Sequence, residues 1–253
     1  MSALDKKLIR DLWRMRVNAI AITLVLGCGL SIFVMAVGMR ASLESTRSEY
    51  YAAQQMADLA VSLVRAPRRV EDEFAACAGI DAVETRIAGH ALLHLPGLVE
   101  PASARLVSLP SGGRPIVNAI VLARGRMPDP AAADEVAVNE AFAKARGIDV
   151  GAVLEATLRG RSQKLRVVGV ANSPEFVFVS APGELFPQPD RFGIIWMGRD
   201  VLSRAYGLEG GFNEAVFRLT SPSAQIGLRG FNASAVGVNQ ASTYSVATNW
   251  QET

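Results

Sequence analysis

Two histidines, His90 and His94, are the whole imidazole content of this 253-residue sequence. On a helix a spacing of four puts both rings on one face, as in many metal sites. The stretch 88–95 alternates like a strand instead, where positions four apart lie about 13 Å from each other. The usual third ligand is not in evidence, so no metal site is expected. Glu71, Asp72 and Glu73 contain the carboxylates for an acid–base pair, but they open a short helical stretch. There, acidic side chains suit the helix dipole and read as a solvated start. Cys28 lies inside a long apolar run and Cys77 outside it. The two cannot meet, and no CxxC or disulfide framework exists. No Gly-Lys dipeptide occurs, so there is no Walker A loop, and G-x-S-x-G and H-E-x-x-H are absent too. The expectation is a protein that is not an enzyme and holds no cofactor. Any ATP hydrolysis would come from another chain. The stretch from Pro182 to Pro189 reads as an ordinary connector rather than a ligand-facing loop.

Charge and composition narrow the classes further. There are 26 Lys and Arg against 24 Asp and Glu, a net charge of +2. That balance argues against a phosphate-binding face, and hence against nucleic acid. It also excludes an acidic disordered chain and a disulfide-rich mini-protein. Half the residues are hydrophobic, and the surplus is concentrated. Residues 17–39 carry no charge, and eleven of them are Leu, Ile, Val or Phe. As a helix they span about 34 Å at 1.5 Å per residue, enough to cross a hydrocarbon core of about 30 Å. The run exceeds a signal-peptide h-region of about 7–15 residues, so an uncleaved anchor is expected.

The flanks orient that anchor. Lys6, Lys7, Arg10, Arg14 and Arg16 precede it, whereas Arg40 and Arg47 after it are offset by Glu44 and Glu49. The positive-inside bias puts the N-terminus in the cytoplasm and the remainder outside. Residues 1–16 have Leu4, Leu8, Leu12 and Met15 on one helical face. Lys6, Lys7, Arg10 and Arg14 sit largely elsewhere. This is either an amphipathic helix on the membrane surface, its basic side chains near anionic lipid, or a basic flank that only sets topology. Within the span, Ala19, Thr23, Gly27 and Ser31 recur every four residues. They form a small-residue stripe where another helix could approach, unless they reflect mere Ala/Gly richness. Residues 40–58 lack Gly and Pro and are expected to extend the helix as a stalk.

Beyond the stalk, short strands and helices alternate. Strands are expected at 58–64, 82–95, 102–109, 116–122, 135–139, 153–158, 165–171, 192–197 and 213–219. Helices are expected at 70–78, 140–146 and 200–206, closed by Gly79, Gly147 and Gly207. Arg159-Gly160-Arg161-Ser162 sits between two strands as a hairpin signature. The mixed order argues α+β rather than a doubly wound parallel sheet.

Several of these pieces form one ordered pattern. Arg124-Gly125-Arg126-Met127-Pro128 is followed by Asp134-Glu135-Val136-Ala137-Val138-Asn139. Ala143 to Gly147, Val150-Gly151, Val168-Gly169-Val170 and Pro174-Glu175 complete it. The pattern resembles the periplasmic core of FtsX-like, MacB-type ABC-transporter permeases. The resemblance spans roughly residues 4–220, including the basic flank and the apolar helix. It implies an α+β fold: a single N-terminal transmembrane helix followed by a mixed α/β extracytoplasmic MacB-like periplasmic core domain. The implied organisation is a cytoplasmic basic helix (1–16), a transmembrane helix (17–39), a stalk (40–58) and a core domain (59–220).

The resemblance also implies a role. Such permeases work as dimers with a second permease copy and a cytoplasmic ABC ATPase, and many pair with a periplasmic adaptor. ATP-driven helix motion reaches the outer domain, which moves lipid, lipoprotein, peptide or drug cargo across or out of the cell inner membrane. Two departures qualify it. The sequence shows no second apolar span, and residues 221–253 are a polar stretch unlike the family, expected to be poorly ordered. A truncated or frame-shifted permease is the expectation. The alternative is a stand-alone, single-pass binding or scaffold protein with a periplasmic domain.

Overall fold

The computed structural model describes residues 16–112, 114–177, 186–220 and 241–245. The chain divides into two units, Met1–Tyr51 and Ala52–Thr253. The first is built on helix α1 (Arg16–Ala53), 38 residues without a proline and therefore about 57 Å long. From Arg16 to Thr46 the helix is long and apolar enough to cross a membrane, and none of its most apolar stretch is buried within the chain. Ile20, Leu24, Phe33 and Val37 are all exposed. Such a surface is unfavourable in water and favourable in hydrocarbon. The apolar helix expected at 17–39 is present, and it runs on into the expected stalk as far as Ala53. There Gln54 and Gln55 form a turn, with Gln55 at φ 50°. Lys6, Lys7, Arg10 and Arg14 lie outside the described residues.

The second unit holds two sheets. The smaller one comprises β1 (Leu59–Pro67), β2 (Ile80–Arg86), β10 (Gly211–Leu219) and β11 (Ala241–Ser245). Its order is β11-β1-β10-β2, with every neighbour antiparallel. Helix α2 (Val70–Ala75) brings Val70 and Phe74 onto Leu63, Phe212, Ala215 and Phe217. The Phe74 ring meets Phe212 and Phe217 edge-on at 6.3 and 5.2 Å, the arrangement that aromatic quadrupoles favour. Strand β11 departs from the polar tail expected at 221–253. The edge of β1 presents a row of N–H and C=O groups that favours an added strand, and Thr243 and Tyr244 are good strand formers. The rest of 221–253 lies outside the described residues.

The larger sheet closes on itself. Its strands are β3 (Ala88–His94), β4 (Ala102–Leu109), β5 (Val121–Gly125), β6 (Glu135–Asn139), β7 (Val153–Leu158), β8 (Arg161–Asn172) and β9 (Phe192–Gly198). The order is β5-β8-β6-β9-β4-β3-β7, and β7 pairs back onto β8. Six strands therefore form a ring. Strand β8 is long enough to carry β7 along Arg161–Arg166 and then β5 along its last residues, on the edge opposite β6. A closed ring leaves few free edges. One apolar cluster draws on all six strands and so fills the interior; Leu93, Leu106, Val138, Leu154, Leu165 and Ile195 belong to it. Helix α3 (Glu140–Arg146) adds Phe142, and helix α4 (Arg199–Tyr206) adds Leu202. Alternate residues, among them Ala137, Ile194 and Trp196, build a second cluster on the outer face, as a period of two requires. Both helices end where expected, at Gly147 and Gly207, each left-handed at φ 65°.

Some bounds differ from expectation: β8 starts at Arg161 rather than at 165, and α2 stops at Ala75 with Ala76 as its cap, short of Gly79. Two further strands differ for a reason that the packing shows. The run expected at 82–95 is split at Ile87, because the chain there leaves one sheet and enters the other. The strand expected at 116–122 begins only at Val121. Asn118 is left-handed (φ 55°), and the N–H groups of Asn118 and Ala119 donate to Gln55 and Gln54 rather than to a ladder.

The glycines of the ordered pattern have a packing reason. Gly125 (φ 80°) lies directly opposite Gly169 across the β5–β8 pair. A Cβ on Gly169 would stand 2.2 Å from the Arg126 carbonyl oxygen, far inside contact distance. Gly169→Ala is expected to destabilise the full chain by about 1–3 kcal/mol in denaturant unfolding. Gly112→Ala, where a Cβ meets open space, should stay within about 0.5 kcal/mol. Equal effects would remove this explanation.

Candidate functional site: a buried charge network between the two sheets

The chain passes from the small sheet to the ring at residues 86–88, and the backbone groups of Ile87 and Ala88 are held. Ile87 N–H donates to Ser108 Oγ at 2.8 Å, and the Ile87 carbonyl accepts from Ser108 N–H at 2.9 Å. Asn213 on β10 mimics a strand partner. Its Oδ1 accepts from Ala88 N–H and its Nδ2 donates to the Ala88 carbonyl, both at 2.8 Å. The return crossing runs through Leu208, buried, to Gly211, whose N–H donates to the Leu208 carbonyl at 2.9 Å.

Arg86 is the last residue of β2, opposite Glu214 on β10. Both are buried. Arg86 Nε donates to Glu214 Oε2 at 2.6 Å. Its two terminal nitrogens grip Glu175, Nη1 to Oε2 at 2.6 Å and Nη2 to Oε1. The other Glu214 oxygen accepts from Arg105 Nη2 on ring strand β4 at 2.5 Å, and the Arg105 guanidinium lies 6.0 Å above the Phe176 ring. Two cations and two carboxylates thus neutralise each other across both sheets. Burial alone would push the Arg86 guanidinium down, but Glu175 and Glu214 outweigh it and hold its pKa above the ordinary value.

The flanking residues of β2 extend the network by alternation. Glu84 shares a face with Arg86 and accepts from the N–H groups of Ile116 (2.7 Å) and Val117 (3.3 Å). Burial pushes its carboxyl above the ordinary 4.5, against those bonds and the nearby Arg86. Thr85 points the other way. Its Oγ1 donates to Glu71 at 2.7 Å, and Arg199 on α4 donates to the Thr85 carbonyl at 2.6 Å. Burial, and then Arg68, lowers the Arg199 pKa. The ordered sequence pattern holds a separate pair within the ring. Arg126 holds Glu135 with two bonds at 2.7 and 2.5 Å, and Asn139 Oδ1 accepts from Ile194 N–H at 2.8 Å. The arrangement binds carboxylates to fixed guanidinium partners. Chemically it is a clamp between lobes.

The residues singled out in the sequence fall elsewhere. His90 faces Arg105 across β3–β4; burial and then Arg105 lower its pKa. The His94 ring lies 2.9 Å from Thr157 Oγ1. Among the described residues no group of three or more His, Cys, Asp or Glu is placed to hold a metal. Cys77 Sγ donates to the Glu73 carbonyl at 3.3 Å, and Cys28 is exposed on α1. Thr23, Gly27 and Ser31 are exposed along α1; the side chain of Ala19 lies outside the described residues. Sequence reasoning missed Arg86, Arg105, Asn118 and Glu214. The available signal was Glu84-Thr85-Arg86, charge inside a strand between apolar neighbours. Its partners lie 89 and 128 residues away.

The fold is thus a small antiparallel sheet clamped to a closed six-stranded ring, in a chain that also carries a membrane-length helix. Solved structures similar to it include the periplasmic region of MacB from Actinobacillus actinomycetemcomitans. The TM-score is 0.47 at 11% identity, covering 79% of this chain and 94% of that one. The extracellular domain of the noncanonic ABC-type transporter YknZ from Gram-positive bacteria is similar too, with a TM-score of 0.47 at 11% identity and coverage of 74% and 98%. No family model matches the chain, and no curated protein matches it.

Glu214→Gln should cost about 3–5 kcal/mol, because it strands buried guanidinium charge; a loss under about 1 kcal/mol in denaturant unfolding would contradict the clamp. Glu84 titrates with the opposite sign from a salt-bridged acid. Its contribution is complete below the ordinary 4.5 and is lost as pH rises through the higher folded value. Glu84→Gln mimics the protonated form. Its Tm relative to the parent should therefore rise with pH across that window. A flat or falling difference would contradict the burial of this carboxyl.

Proposed function

We propose that this chain is the first membrane helix and outer domain of an FtsX/MacB-type ABC-transporter permease. It crosses the inner membrane once within the described residues, N-terminus in the cytoplasm. A second permease copy and a cytoplasmic ABC ATPase are its partners, with a periplasmic adaptor as a further one. It carries ATP-driven motion to the outer domain for export or extraction of lipid, lipoprotein, peptide or drug cargo. The observation that supports this most is the fate of the ordered pattern. Gly125 and Gly169 meet, Arg126 clamps Glu135, and Glu175 grips Arg86, so the residues that carry the sequence resemblance are the ones that fix the outer fold. The stripe of Ala19, Thr23, Gly27 and Ser31 is proposed as the face that packs on other membrane helices. Lys6, Lys7, Arg10 and Arg14 are proposed to meet anionic lipid at the cytoplasmic surface.

Membrane sidedness tests the placement. Cys77 is partly exposed in the outer unit and Cys28 lies within the apolar helix. A membrane-impermeant maleimide should label Cys77 once the outer face is accessible and leave Cys28 unmodified. Labelling of Cys77 only after the inner membrane is breached would overturn the orientation. Purification in mild detergent should bring down an ATPase; recovery of the chain without one would favour the scaffold reading.

A further inference from the structure

Asn118 sits where three stretches of chain meet. It is buried, 3% exposed, in the irregular segment before β5. Its N–H donates to the Gln55 carbonyl at 2.9 Å, and Ala119 N–H donates to the Gln54 carbonyl at the same distance. These are the residues that follow Ala53, the end of α1. The Asn118 side chain faces two ways. Oδ1 accepts from Ala57 N–H at 2.7 Å, and Nδ2 donates to Glu175 Oε2 at 2.8 Å. A backbone N–H can only donate and a carboxylate can only accept, so the two partners dictate how the amide is turned. Glu175 in turn holds Arg86 at the crossing between the sheets. The neighbouring Ile116 and Val117 hold Glu84 on β2.

We propose that Asn118 is a positioning residue that couples residues 54–57 to the Arg86 network, so that a shift of that segment is delivered to the small sheet and the ring together. It rests on the reading above only for the source of the shift. Buried, fully satisfied polar chains act as units, and their members are not additive. An amide that merely anchored its own loop would hold Ala57 and be indifferent to Glu175.

Asn118→Asp separates the two. The carboxylate still accepts from Ala57 N–H, but it turns like charge toward Glu175. The second change, Glu175→Gln, removes that repulsion; because it also loosens the grip on Arg86, it is made alone as well and serves as the background for comparison. The experiment is amide hydrogen exchange on the full chain in detergent, read at Ala57, Ile87 and Ala88. The Val138 amide, deep in the ring, gauges global unfolding. Asn118→Asp should raise exchange at Ala57 as well as at Ile87 and Ala88 by about tenfold. Added to Glu175→Gln, Asn118→Asp should change exchange at all three by less than about threefold. Unchanged exchange at Ala57 in the single variant, or an Asn118→Asp effect as large in the Glu175→Gln background as in the parent, would overturn the proposal. Should Asn118→Asp fail to fold, a double variant as stable as Glu175→Gln alone supports the coupling and a less stable one overturns it. None of these outcomes depends on which side of a membrane Cys77 faces, so a failure here is distinct from a failure of the functional reading.

Discussion

A guanidinium removed from water needs anions at its edges, and that requirement organises the outer unit. Arg86 ends a strand of one sheet, yet its counter-charges come from β10 of the same sheet and from the 3-10 turn that follows β8 of the ring. Leaving any one partner out would strand a charge in a low-dielectric site. The two lobes therefore have one permitted register against each other. An apolar contact of the same area would tolerate sliding; a bidentate ion pair with a second carboxylate on Nε does not. The backbone bonds of Ser108 and Asn213 around Ile87 and Ala88 repeat that constraint in uncharged form.

Much of the local structure was legible in the residues. Helices α3 and α4 and their glycine stops follow from helix formers ahead of a left-handed cap, and strands β6, β7 and β9 follow from short apolar runs between turn residues. These are near-neighbour effects, and sequence order alone carries them. The break at Ile87 was not legible, because nothing local marks it: Arg86-Ile87-Ala88 remains extended while its partners change. The late start of β5 depends on Asn118 bonding to residues more than sixty positions earlier. The charge network was invisible for the same reason. Glu175 stood out as part of an ordered pattern, but its partner Arg86 lay unremarked inside an expected strand until the fold brought them together.

The membrane end and the outer unit illustrate opposite kinds of information. In α1, composition decides almost everything, since a helix of that length and apolarity has few environments that suit it. In the outer unit, composition decides little, and a few polar side chains inside apolar layers select one topology among many that would bury the same surface. Glu84, Arg86 and Glu214 are unfavourable choices for burial taken singly. Together they discriminate against alternative pairings of the two sheets.

The positions of the two crossings have a consequence for how such a protein can change over time. The polypeptide enters the ring at Ala88 and leaves it at Gly207 to Gly211, and Asn213 just beyond the exit is bonded to Ala88 at the entrance. The ring is thus a cassette grafted through one doorway into a smaller host sheet whose own strands would otherwise be continuous. Domains whose ends lie close together are readily inserted and exchanged. A lineage could replace the cassette, and with it whatever the outer surface recognises, while retaining the host sheet and the rod that precedes it.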